Sequence, residues 1–136
     1  MMTLGQLYER AYQDGIEIDE RQMRQLSAAA FPEGWVVIDP TRFESMTAFK
    51  CALAHEVGHI ETGSFYNIWS PFDLMAKCEY KANRRAAEIL MPLNDVQSAL
   101  RAGHNTRYAL AVYFEVTEDF VEIALAIYGD LLRIAT

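Results

Sequence analysis

Two histidines four residues apart constrain this chain more than any other feature of its sequence. They belong to the run His55-Glu56-Val57-Gly58-His59, and on a helix their side chains project from one face. Such a pair can hold one zinc ion, with Glu56 beside it as a general base. The run therefore predicts a helix that carries a metallohydrolase site, and the alternative is a pair of ordinary helical histidines.

The histidines do not lie on the apolar stripe of their predicted helix, which covers about residues 45–62. A rotation of about 100° per residue places His55 and His59 on one arc. A second arc, with Lys50 and Glu61, suits contact with water. The arc that carries the histidines thus faces neither the apolar core nor the solvent-exposed side. This position favours a role for both histidines as metal ligands. The apolar stripe consists of Phe49, Leu53, Val57 and Ile60.

A second predicted helix, at about residues 72–91 and stopped by Pro92, offers a third ligand. Glu79 shares a face of this helix with apolar residues, while the basic residues lie on the opposite side. An ionised carboxylate on a buried face is disfavoured unless it is paired or bound to a metal. We therefore expect Glu79 to be the third zinc ligand; an internal salt bridge or a neutral buried acid is the alternative. Three protein ligands leave the fourth position for water, as in catalytic zinc sites.

Further candidates surround these ligands. Asn83 lies one turn along the same helix face, where its side-chain oxygen can accept a hydrogen bond from a ligand histidine; an ordinary packing asparagine is the alternative. Residues 64–71 form an aromatic-rich loop without helical period. Tyr66, Trp69 and Tyr80 are candidates for stabilising an oxyanion or for lining a substrate groove. Their spacing does not choose among them.

The remaining sequence mixes helix and strand patterns, which predicts an α+β fold in a single domain over residues 1–136. An N-terminal helix ends before Gly15. Residues 16–19 alternate as an edge strand does, and residues 35–39 are typical of a better buried strand. The stretch between them, residues 21–31, fits either a helix or irregular structure.

Three shorter helices are predicted towards the C-terminus. The first has Asn94 as its N-cap. The other two, residues 106–115 and 118–132, are separated by Val116-Thr117, with Thr117 as a cap. They form a helix-turn-helix-like pair over residues 106–132 that we expect to pack on the domain. Its acidic residues argue against DNA contact, because recognition helices need cationic neighbours. These residues are Glu115, Glu118, Asp119, Glu122 and Asp130.

The charge balance also disfavours nucleic acid as a direct partner. The chain has 12 basic and 19 acidic residues and a formal charge of −7, whereas phosphate binding depends on clustered Lys and Arg. Two cysteines are too few for a disulfide framework, and no secretory signal is evident. No apolar run approaches the roughly 20 residues of a membrane span. We therefore expect a cytoplasmic protein without a membrane partner; the sequence does not indicate its oligomeric state.

Two stretches carry a likeness to a known family. Residues 53–60 read Leu-Ala-His-Glu-Val-Gly-His-Ile, and residues 79–92 read Glu-Tyr-Lys-Ala-Asn-Arg-Arg-Ala-Ala-Glu-Ile-Leu-Met-Pro. In both, the sequence resembles the ImmA/IrrE family of metallo-endopeptidases of bacteria, phages and mobile elements. The second stretch is the more specific one, because H-E-x-x-H occurs in many zinc enzymes. The likeness extends from about Ile16 to Thr117.

The resemblance implies a zincin-like (gluzincin) core in which a small β-sheet packs on the two site helices. It implies one zinc ion per chain, held by His55, His59 and Glu79, with Glu56 as the catalytic base. It also implies a substrate class, because family members typically cleave or inactivate a helix-turn-helix repressor. Arg85 departs from the pattern, since it stands where the family often has an aromatic residue, and the packing behind the site can differ accordingly.

A second function remains open on the same fold. The chain can be a non-proteolytic binding module, which sequesters a repressor or serves as one half of a toxin–antitoxin pair. The complete residue set favours the peptidase, because a disused site need keep neither Glu56 nor Glu79.

Overall fold

The computed structural model describes residues 1–135, which form a three-stranded sheet and six α-helices. This is the α+β fold predicted from the sequence; Thr136, the last residue of the expected domain span, lies outside the described residues. The strands are β1 (Glu17–Glu20), β2 (Ala28–Phe31) and β3 (Trp35–Ile38). The helices are α1 (Leu4–Gln13), α2 (Met46–Thr62), α3 (Phe72–Leu90), α4 (Leu93–Arg101), α5 (Arg107–Phe114) and α6 (Glu118–Ala135).

The sheet has the strand order β1-β3-β2, so its most apolar strand lies in the centre. β3 runs parallel to β1 and antiparallel to β2. Val36 and Ile38 of β3 are fully buried, because both edges of the strand are paired and α2 packs on the sheet. The edge strand and the buried strand that the sequence predicts are both confirmed.

Residues 21–27 are irregular, one of the two expectations for residues 21–31, but strand β2 corrects that expectation for residues 28–31. Its sequence is Ala28-Ala29-Ala30-Phe31, and alanine has little preference for strands. The extended backbone is held by pairing with β3, in which Ala30 stands opposite Val36, and by packing against α2. Tertiary contacts thus produce a strand where the local sequence gives no signal for one.

Local signals fix both ends of α2. The Ser45 hydroxyl accepts a hydrogen bond of 3.0 Å from the N–H of Ala48 and caps the helix. Gly63 ends it with φ 62°, a left-handed conformation in which an L side chain is strained. The Gly63 N–H bonds to the carbonyls of His59 and Ile60. These bounds confirm the predicted helix. The turn at Gly63 directs the following segment back beside His59.

Gly58 allows α2 to approach α3 closely. A Cβ on Gly58 would lie 2.5 Å from the carbonyl oxygen of Ala82 and 3.2 Å from its carbonyl carbon. Ala82 is fully buried. Gly58 lies between the two histidines of α2, and Ala82 lies three residues after Glu79 on α3. This backbone contact therefore sets the spacing of the two helices where their candidate ligands meet.

The expectation that Lys50 and Glu61 face water is wrong, because α1 and the residues before it contact these two side chains. Lys50 is 5% exposed, and its Nζ donates to the carbonyl of Met2 at 3.1 Å. Glu61 forms ion pairs of 2.9 Å with Arg10 of α1 and 3.0 Å with Arg85 of α3. Burial alone would raise the pKa of Glu61, but its hydrogen bonds, led by that from Arg10, lower it to about 2. Arg85 thus joins α3 to α2 behind the site.

Each of the three helices after the site is preceded by a proline or a threonine. α4 starts at Leu93 with Pro92 as its N-cap, so Asn94 lies in the first turn and is not the predicted N-cap. Thr106 and Thr117 cap α5 and α6 by accepting backbone hydrogen bonds of 3.0 and 3.1 Å. α5 packs on α6, and α6 packs on α3. Within the described part of the chain, no helix is both long and apolar enough to span a membrane.

Candidate metal centre

His55 and His59 of α2 meet Glu79 of α3 at one point. The Nε2 atoms of the two imidazole rings are 3.1 Å apart. The carboxylate oxygens of Glu79 lie 2.8 Å from His55 Nε2 and 3.5 Å from His59 Nε2. The structure therefore brings together the three side chains that the sequence indicated as metal ligands.

The outer nitrogens of both rings already have hydrogen-bond partners. His55 Nδ1 lies 2.7 Å from Asn83 Oδ1, and His59 Nδ1 lies 2.7 Å from the carbonyl oxygen of Ser64. Because a carbonyl oxygen can only accept, each Nδ1 carries the proton and donates it. Burial lowers the pKa of His55, which favours its neutral ring at pH 7. Both Nε2 lone pairs then point into the space that they share with Glu79.

This donor set fits a divalent cation. Two nitrogen lone pairs and a carboxylate at such short separations repel one another unless positive charge lies between them. A tetrahedral zinc ion with ligand atoms at about 2.0–2.1 Å places those atoms about 3.3–3.4 Å apart. His55 Nε2 lies 3.1 Å from His59 Nε2 and 2.8 Å from Glu79 Oε2, and both separations are near this spacing. The 3.5 Å distance from His59 Nε2 is to the other carboxylate oxygen, Oε1. Asn83 and Ser64 supply hydrogen bonds of the kind that orient ligand histidines.

Glu56, the predicted general base, lies in a cleft beside these ligands. The cleft has a volume of about 320 Å³, and its wall includes Glu56, His59, Tyr66, Glu79 and residues of β2. Burial raises the pKa of Glu56 to about 7, and the negative charge of Glu79 adds to the shift. A carboxyl group with a pKa near neutrality can accept and release a proton at physiological pH.

A comparison with family models agrees with this geometry. The model of the IrrE N-terminal-like domain, Peptidase_M78, matches residues 36–126, more than half of the 136-residue chain. The chain belongs to this family. The matched part of this Peptidase_M78 chain contains both site helices and all three candidate ligands. Membership supports a metallopeptidase-type function and agrees with the ImmA/IrrE resemblance of the sequence. No curated protein sequence matches the chain.

The loop after α2 adds a group to the Peptidase_M78 site that the sequence does not single out. The hydroxyl of Tyr66 donates to Glu79 Oε1, and its ring centroid is 6.3 Å from that of His59. The hydrogen bond to Glu79 is the main cause that raises the pKa of Tyr66 to about 12. Of the three aromatic candidates, Tyr66 lines the cleft, whereas Trp69 and Tyr80 do not.

The N-terminal half of α3 is exposed, so the expectation that Glu79 lies on a buried apolar face is wrong. Phe72 is 88% exposed, and the Glu79 side chain is 39% exposed. Full burial on α3 begins at Cys78 and continues through Ala82 and Ala86. The carboxylate of Glu79 is therefore held by its contacts with the histidines and Tyr66, and not by an apolar environment.

Proposed function

We propose that this member of the Peptidase_M78 family is a zinc-dependent endopeptidase whose substrate is a helix-turn-helix transcriptional repressor. The observation that carries the proposal is the convergence of His55, His59 and Glu79 at ligand spacing, with Glu56 in the same cleft. Two imidazoles and one carboxylate, with a further position left for water, form a ligand set typical of catalytic zinc.

The roles of the protein groups follow from their positions. When bound by the three ligands, a zinc ion lowers the pKa of a water molecule and polarises a peptide carbonyl. The Glu56 carboxylate accepts a proton from the attacking water and donates it to the departing amine. Asn83 and the Ser64 carbonyl keep both imidazoles in the tautomer whose Nε2 is available as a ligand.

The cleft wall suits an extended polypeptide. β2 lies at an edge of the sheet, and Ala28, Ala29 and Ala30 line the cleft beside Glu56. An extended peptide can pair with such an edge through main-chain hydrogen bonds. The small alanine side chains leave room for the side chains of the bound peptide. This arrangement supports a peptide substrate over a small molecule.

A folded protein substrate is supported by exposed apolar residues in the segment that follows Tyr66 of the cleft and at the start of α3. Ile68, Trp69 and Phe72 are 82%, 85% and 88% exposed, and exposed clusters of large apolar side chains mark protein-binding surfaces. The net charge of −7 favours a basic partner, and helix-turn-helix proteins that bind DNA are typically basic. The ImmA/IrrE resemblance of the sequence adds the repressor as the specific class.

The proposal is tested with the zinc-loaded protein and purified helix-turn-helix repressors, beginning with any that sequencing of the neighbouring genes identifies. A peptide library made from a proteome serves as a second substrate, with cleavage sites identified by mass spectrometry. Wild-type protein should cut both. Glu56→Gln should lower the cleavage rate by about 10²–10⁴-fold while zinc content is retained. Cleavage by Glu56→Gln at the wild-type rate would show that Glu56 is not the base.

A matched control and a second readout separate proteolysis from simple binding. Glu33→Gln makes the same chemical change at an exposed turn residue and should leave cleavage unchanged. Relief of repression is measured for both variants in cells that carry the repressor and a reporter gene. If Glu56→Gln relieves repression as fully as the wild type does, the protein acts as a non-proteolytic binding module.

A further inference from the structure

The segment that follows α2, residues 64–66, contacts two of the three candidate ligands. The Ser64 carbonyl accepts the hydrogen bond from His59 Nδ1 at 2.7 Å. The Phe65 ring lies 6.4 Å from the His59 ring, with an interplanar angle of 28°. The Tyr66 hydroxyl donates to Glu79 Oε1. Three consecutive residues thus reach a ligand on α2 and a ligand on α3.

The backbone of this segment is anchored to both site helices. The Ser64 N–H donates to the His59 carbonyl at 3.0 Å, and the hydroxyls of Thr62 and Ser64 are hydrogen-bonded at 2.6 Å. On the other side, the Cys78 thiol of α3 donates to the Phe65 carbonyl at 3.5 Å. Tyr66 therefore extends from a fixed starting point towards Glu79.

Glu79 is the candidate ligand that most needs an orienting partner. Its side chain is 39% exposed, against 23% for His55 and 9% for His59. Holding a flexible glutamate in one conformation costs side-chain entropy, and none of residues 72–77, which precede it on α3, is buried. Each histidine is oriented through its outer nitrogen, and the Tyr66 phenol is the corresponding partner of the carboxylate. The Tyr66 side chain is itself 40% exposed, so its main contribution is not to the core.

We propose that Tyr66 is a positioning residue of the metal site, whose hydroxyl holds the Glu79 carboxylate towards the two histidines. This inference rests on the zinc site of the proposed function. Residues 64–66 then order two ligands before the ion binds. Loss of the Tyr66 hydroxyl should weaken zinc binding while the fold stays unchanged.

The substitution Tyr66→Phe removes the hydroxyl and keeps the ring beside His59. We expect the Kd for zinc, measured by competition with a chelator, to rise about tenfold, at the lower end of the range for outer partners of metal ligands. The melting temperature of the zinc-free protein should stay within about 2 °C of wild type, because the side chain is exposed. Tyr12→Phe on α1, where Tyr12 is 78% exposed, is the control and should leave the Kd unchanged.

Three measurements separate this inference from the proposed function. If wild-type protein binds no zinc, the proposed function fails and the inference with it. If wild-type protein binds one zinc and Tyr66→Phe has the same Kd, only the inference is overturned. On a substrate found with the peptide library, the rate of cleavage by Tyr66→Phe should rise as zinc is added up to the concentration that its higher Kd requires. A lower kcat with an unchanged Kd would show that Tyr66 acts on the substrate instead, which overturns the positioning role.

Discussion

Substitution of Gly58 by alanine tests whether the spacing of α2 and α3 sets the metal site. The added Cβ would lie 2.5 Å from the Ala82 carbonyl oxygen, whereas ordinary contacts begin at 3.4 Å. The two backbones must therefore separate by about 0.9 Å at this point. Neither atom is at the end of a flexible side chain, so the strain cannot be relieved by a change of rotamer.

Two opposing effects determine the change in stability. Alanine in a helix is favoured over glycine by about 1 kcal/mol. Overpacking of a core costs about 1–3 kcal/mol, and a contact between two rigid backbones belongs at the upper end of that range. We expect Gly58→Ala to be destabilised by about 2 kcal/mol, which lowers the melting temperature by about 8 °C. The separation also exceeds the tolerance of about 0.2 Å in metal–ligand distances, so zinc affinity should fall by about tenfold or more.

The assay is urea unfolding of the zinc-free protein together with zinc titration. Gly129→Ala in α6 is the control, because an added Cβ there meets no atom within 4 Å. It should be more stable than wild type by about 0.4–1 kcal/mol and bind zinc equally well. The reasoning is refuted if Gly58→Ala is as stable as wild type with unchanged zinc affinity, or if both alanine variants are destabilised alike.

Three further predictions concern stability and substrate binding. Tyr128→Phe removes the buried hydrogen bond of 2.7 Å to the Met91 carbonyl and should cost about 1–3 kcal/mol of unfolding free energy in urea; a loss below about 0.3 kcal/mol would contradict this. Hydrogen bonds from Thr41 and Met23 lower the pKa of Asp39. The ionised Asp39 carboxylate therefore stabilises the folded protein above the unfolded pKa of about 3.9, and this contribution is lost as pH falls through the lower folded pKa. Urea unfolding should show Asp39→Asn less stable than wild type at pH 7, and the difference in unfolding free energy should narrow between about pH 5 and pH 3. A difference that stays constant with pH would show that the Asp39 carboxylate is not the stabilising group. Trp69→Ala should raise KM for the repressor by about tenfold with an unchanged melting temperature, and an unchanged KM would show that Trp69 does not contact the substrate.

The two histidine ligands could be predicted because their relative direction depends on the geometry of a single helix, whereas the meeting with Glu79 depends on the packing of α3 on α2. A spacing of four residues fixes the direction of His55 relative to His59 on any helix. Asn83 follows Glu79 by four residues, so its proximity to the ligands follows once α3 is known to pack on α2. The sequence also contains the signals that delimit α2, since Ser45 caps one end and Gly63 terminates the other.

Features that depend on contacts between distant segments could not be predicted in the same way. β2 exists because β3 offers it a pairing edge, and three alanines contain no pattern that indicates this. Tyr66 was one of three aromatic candidates, and only the direction of the chain after Gly63 places it beside Glu79. The hydroxyl of Tyr66 has no local signal that distinguishes it from that of Tyr80.

Burial along a helix was the least predictable property. The periodicity of α3 groups Phe72 with Glu79 and Ala86 on one face, but the first residues of the helix are not buried, and Phe72 is exposed. On α2 the reverse holds, because a residue expected to be exposed is buried. Lys50 lies on a polar arc, yet it is buried and bonded to Met2, in the segment before α1. In both cases burial depends on where a neighbouring element begins or ends.

The central claim is that one divalent ion is held between α2 and α3, and anomalous diffraction at the zinc absorption edge tests it most directly. Crystals of the zinc-loaded protein should show one strong anomalous peak per chain. The peak should lie about 2.0–2.2 Å from His55 Nε2, His59 Nε2 and a carboxylate oxygen of Glu79. The absence of a peak at this point, or a peak that lacks the Glu79 carboxylate as a ligand, would contradict the account.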